Sequence, residues 1–73
     1  MKDLIRELQR LSSKKEVKGS DHLRTTLGLD SMKLIELVVF FSEEWGIDLG
    51  EKAAEGHPVN TVSDLEKIIS ENS

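Results

Sequence analysis

The chain of 73 residues has no cysteine, no tyrosine, one proline and one tryptophan. Without cysteine it can form neither a disulfide nor a thiolate metal site. No apolar run is long enough to cross a bilayer, and the opening Met1-Lys2-Asp3-Leu4 is not an apolar signal segment. The expectation is a soluble, cytoplasmic protein without membrane insertion. Basic residues are also scarce: ten Lys and Arg against fourteen Asp and Glu leave a net charge of −4. That balance argues against a nucleic-acid partner, which needs a basic footprint. Lys14, Lys15 and Lys18 do cluster, but Glu16 interrupts them, and the stretch reads as a solvated loop. The length implies one domain, residues 1–73, with a small core built by efficient helix packing. The opening methionine and the lack of linker-like ends suggest a free-standing protein.

What the chain does have is helical spacing. Leu4, Ile5, Leu8 and Leu11 mark an amphipathic helix over residues 2 to 12, with Asp3 as an acid in its first turn. A polar stretch follows to about Ser20, and Leu23 and Leu27 predict a single turn pinning this long loop to the core. Gly28 is expected to supply a backbone conformation that other residues avoid. A central helix runs from Ser31 to a stop at Gly46. On it Leu34, Leu37, Val38, Phe41 and Trp45 form a core stripe, and Met32, Ile35 and Val39 form a second apolar strip bordered by Glu36 and Glu43. Ile35 and Val39 are expected to be partly exposed. Ile47-Asp48-Leu49 reads as a short extended link, and residues 51–55 as a short helix that Pro58 prevents from continuing. Ala53 and Ala54 are expected to face the central helix, leaving either a shallow space or a loosely packed third helix. Thr61 and Asp64 resemble a capping box for a last helix with Val62, Leu65, Ile68 and Ile69 inward, running to about Ser70. No segment alternates as a strand does. The fold class is therefore all-α: a small bundle of three main helices plus one short helix, with a long first loop.

A serine that opens a helix is most often a cap, and on its own Ser31 reads as one. A nucleophilic role is disfavoured. There is no Gly-x-Ser-x-Gly elbow, and the only histidines, His22 and His57, fall in loops.

The wider pattern adds to this reading. Leu27-Gly28-Leu29-Asp30-Ser31-Met32, then Ile35-Glu36-Leu37-Val38, Phe41, Glu43-Glu44-Trp45-Gly46-Ile47 and Thr61-Val62 with Leu65 together resemble the acyl carrier protein family over nearly the whole chain. Gly-Leu-Asp-Ser-Met is similar to the family's Asp-Ser-Leu attachment motif, with methionine in place of leucine. The resemblance implies a single carrier domain that is not an enzyme. Ser31 would bear a covalent 4′-phosphopantetheine arm, placed there by a phosphopantetheinyl transferase. The thiol of the arm would hold acyl intermediates as thioesters and carry them between acyl-transferring and acyl-modifying enzymes of fatty-acid, polyketide or another specialised pathway. By the same resemblance Asp30 would serve transferase recognition, Glu36 would face basic partner surfaces, and Met32, Ile35 and Val39 would form the apolar part of the docking strip. No catalytic residue and no metal ligand is implied. A monomer is expected, because the apolar strip is small and acid-bordered.

The chain departs from housekeeping fatty-acid carriers at Lys33, Phe40, Ser42 and Lys52, which dilute the acidic surface and add an aromatic contact. A carrier for a dedicated pathway is the resulting expectation. Two alternatives stand beside it: an aminoacyl or peptidyl carrier, and a helical interaction module with no prosthetic group, in which Ser31 only caps.

Overall fold

A computed structural model of the chain describes residues 2–72, with side chains from residue 4. The expectation for the Asp3 side chain lies outside the described side chains. Four helices follow in order: α1 (Lys2–Ser12), α2 (Ser31–Trp45), α3 (Leu49–Ala54) and α4 (Val62–Glu71). There is no strand among the described residues; one isolated antiparallel bridge joins His22 to Thr61. The all-α reading with three main helices, one short helix and a long first loop is what the chain adopts.

Each helix contributes one apolar stripe to a common core. From α1 come Leu4, Leu8 and Leu11, from α2 Leu37 and Phe41, and from α4 Val62, Leu65, Ile68 and Ile69. Phe41, wholly buried, is the largest of the fully enclosed side chains. The core stripe of α2 is narrower than its spacing suggests, since Leu34, Val38 and Trp45 are only half-buried. A chain this short cannot surround three of the five positions completely. Trp45 instead lies edge-on to Phe40, with ring centroids 5.4 Å apart, and against Phe41 at 4.8 Å.

The helix ends follow local chemistry. Gly46 closes α2 in the left-handed conformation (φ 66°), its N–H donating to the Ser42 carbonyl while Ile47 N–H donates to that of Phe41. Gly28 also takes a positive φ, 68°, as expected at the loop before α2. At the start of α4 the capping box is complete: the Thr61 hydroxyl accepts from Asp64 N–H, and the Asp64 carboxylate accepts from Thr61 N–H. The third helix corrects the sequence reading. It begins at Leu49, two residues earlier than read from sequence, and Asp48 is its N-cap, accepting from Glu51 N–H at 3.1 Å; the extended link is limited to Ile47 and Asp48, with Ile47 and Leu49 buried on either side. Leu49 is the buried anchor of α3; Ala53 and Ala54 are exposed.

The long loop is tied down at several points. Leu23 N–H donates to the Asn60 carbonyl at 2.8 Å, and Val62 N–H to the Asp21 carbonyl at 3.1 Å. Ser63 donates to the Gly19 carbonyl from both its N–H and its hydroxyl, each at 2.9 Å. Leu23, Leu27 and Leu29 are buried, so the loop forms one wall of the core. Leu23 and Leu27 sit in a hydrogen-bonded turn closed by Thr26 and Leu27 N–H groups on the His22 carbonyl.

Candidate functional site

The site lies at the N-terminus of α2. Asp30 has extended backbone and its carboxylate accepts from Lys33 N–H at 2.9 Å, making Asp30 the N-cap. The cap reading for Ser31 is thereby corrected: Ser31 is the first helical residue, exposed, and its hydroxyl makes no hydrogen bond within the described residues. Because Asp30 satisfies the helix end, the serine oxygen is left free for other chemistry. Among the described residues no hydrogen bond joins the Ser31 hydroxyl to a histidine. His57 lies 3.8 Å from Glu55, and His22 acts electrostatically on Asp64.

Beyond Ser31 the helix presents two lanes. Taking about 100° per residue, Ser31, Leu34 and Val38 fall within about 60° of one another, while Met32, Glu36, Val39 and Glu43 form a lane beside them. Met32, Ile35 and Val39 are 74%, 63% and 49% exposed, as expected of a strip set off the core. Glu36 is exposed too, but it does not stand alone. Arg10 of α1 donates to Glu7 from Nε and Nη2, at 3.1 and 2.6 Å, and its Nη2 reaches to 3.9 Å from Glu36. The Glu7 hydrogen bond, with the charges of Glu7 and Glu36, raises the Arg10 pKa above its ordinary value. A shallow groove of about 280 Å³ runs here between α1 and α2, floored by Ile35, Val39 and Phe40 and edged by Glu7, Arg10, Glu36 and Glu43. The part played by α1 was missed in the sequence, since residues 10 and 36 share no periodicity.

The other lane leads to a hollow. Leu34 and Val38 border an open space of about 310 Å³ between α2, α3, the long loop and the segment 57–60, with Leu23, Leu49, Ala53 and Val59 around it. An adjoining space of about 290 Å³ shares Leu23, Arg24, Leu34, Val59 and Asn60 with it and adds His22 and Thr25. Of the two outcomes expected beside α3, a shallow space is the one seen, but Ala53 and Ala54 do not face inward as expected: both are exposed. Neither Phe41 nor Trp45 fills it, and only Ala53 of the two alanines reaches its edge.

Among the described residues no cluster of His, Cys, Asp or Glu is arranged to hold a metal ion, and no helix is long and apolar enough to cross a membrane. No protein-family model matches the chain, and no solved structure matches it.

Proposed function

We propose that the protein is a carrier of acyl groups, with Ser31 as the point of attachment of a 4′-phosphopantetheine arm. The observation that carries this reading is the division of labour at the start of α2: Asp30 caps, and Ser31 presents an exposed, unbonded hydroxyl at the first helical position.

The residues present fit such a group. The first N–H groups of a helix lack intrahelical partners, and the positive end of the helix dipole favours an anion such as a phosphodiester. Within the first turn of α2 there is no acidic side chain, and the one carboxylate at this helix end, that of Asp30, is engaged by Lys33 N–H. When bound, the arm would supply the thiol that this cysteine-free chain lacks and hold cargo as a thioester. The protein's own residues would then orient and present. Ser31 holds the arm, and Asp30 stiffens the turn and offers a carboxylate beside the serine to the transferase. Met32, Ile35, Glu36 and Val39 give successive enzymes a small apolar surface with a charged border. A contact of this kind is weak and readily released, which suits a molecule that must leave each partner. The carrier itself performs no catalysis, and its pathway is a dedicated one, in keeping with Lys33, Phe40, Ser42 and Lys52.

The test is an intact mass after incubation with coenzyme A and a broad-specificity phosphopantetheinyl transferase, beside Ser31→Ala. The parent gains one phosphopantetheine and Ser31→Ala gains none. If the parent is left unmodified, the carrier reading is wrong and α2 is the exposed face of a binding module.

A further inference from the structure

The concave surfaces of this acidic protein differ in charge. The groove between α1 and α2 is edged by Glu7, Glu36 and Glu43 with Arg10 among them, and a notch beside α4 by Asp64 and Glu71 with Lys67 and His57. The hollow between α2, α3, the long loop and the segment 57–60 has no acidic residue in its lining. Its polar side chains are Arg24, His22, Thr25 and Asn60, all able to donate hydrogen bonds. The side chains of Arg24, Thr25 and Asn60 make no hydrogen bond or ion pair within the described residues, whereas His22 lies in the field of Asp64. Arg24 borders both parts of the hollow, across from Leu34, one helical turn beyond Ser31.

We infer that this hollow seats the cargo and selects an acyl chain that ends in a second carboxylate. The inference rests on the carrier reading and names the class of acyl group. The methylenes of such a chain lie against Leu34, Val38, Leu49 and Val59 and leave water. Its terminal carboxylate meets the Arg24 guanidinium, whose planar fork accepts a carboxylate through two parallel hydrogen bonds, with Thr25 and Asn60 as further donors. A chain ending in a methyl group buries similar apolar area but leaves the Arg24 edge without a partner. The acid-ended chain therefore fills the hollow more fully, by about two- to fivefold in the ratio of seated to free cargo, the scale of an ion pair at an exposed arginine.

The experiment loads Ser31 from two coenzyme A thioesters, one with a six-carbon diacid and one with a six-carbon monoacid, and includes the arm without cargo. Intact mass first reports loading. Absence of loading overturns the carrier reading, and the inference with it. With loading achieved, backbone amide resonances of Leu34, Val38 and Val59 are compared by NMR, and thioester hydrolysis is timed at mildly alkaline pH. The diacid shifts those resonances strongly and hydrolyses more slowly than the monoacid. Arg24→Gln, a change at an exposed position, removes the diacid's advantage and leaves the monoacid unaffected. Equal shifts from monoacid and diacid overturn the inference, as does an Arg24→Gln protein that still prefers the diacid. Equal shifts from the arm alone also overturn it, because Arg24 would then be reading the phosphodiester.

Discussion

At the start of α2 two adjacent residues have separate tasks, and substitution can tell them apart. The Asp30 carboxylate holds Lys33 N–H, while the Ser31 hydroxyl bonds nothing in the described residues. Asn is as good an N-cap as Asp, so Asp30→Asn retains the stability of the parent in urea unfolding, whereas Asp30→Ala loses about 1 kcal/mol. If the charge of Asp30 serves the transferase, both variants are modified more slowly, including the one that keeps the cap. A slow rate confined to Asp30→Ala would assign the residue to helix capping alone. Ser31→Ala stays within about 0.5 kcal/mol of the parent, since the position is exposed and unbonded. In sequence, Ser31 taken on its own read as the cap. Backbone geometry gives that task to the aspartate, which is in extended conformation while Ser31 is already helical.

At the scale of the element, the clearest case is α4. Asp64 accepts from the N–H groups of both Asn60 and Thr61, at 3.0 Å each. These bonds, the one from Asn60 foremost, lower the Asp64 pKa from its ordinary 3.8, and His22 adds to the effect. A carboxyl group with a lowered folded pKa contributes stability that is fully present above its unfolded value and is lost as pH falls through the folded one. Asp64→Asn therefore lowers stability at pH 7 and makes the remaining stability less sensitive to pH below about 4. Urea midpoints across the acid range check this; unchanged acid sensitivity would count against it. Thr61→Ala removes the reciprocal bond and costs about 1 kcal/mol, read by the same midpoints at pH 7. The capping box was legible because both partners lie within four residues. The cap of α3 carried the same kind of signal, Asp48 with Glu51 three residues on, but Gly50 inside the first turn hid the helix start at Leu49, so Asp48 read only as part of the extended link.

Across the whole molecule, stability depends on few side chains. Phe41 is fully enclosed and touches Trp45, so Phe41→Ala removes core volume that a chain of this size cannot replace. The expected loss is about 3–5 kcal/mol, enough to leave much of the protein unfolded at 25 °C by circular dichroism. Partial retention of a cooperative thermal transition close to the parent's would show that the core relaxes around the gap. What the amino-acid sequence determined by itself is the set of helices, their inward stripes and the exposed strip of Met32, Ile35 and Val39, because these depend on periodicity and on caps within one turn. The backbone bonds that close the long loop, the reach of Arg10 toward Glu36 and the acid-free lining of the hollow were decided only by the tertiary structure. Backbone bonds such as Leu23 N–H to the Asn60 carbonyl join positions far apart in the chain and depend on no particular side chain. The hollow exists because the loop, α2, α3 and the segment 57–60 converge without filling the space between them, and no local pattern of residues encodes that convergence.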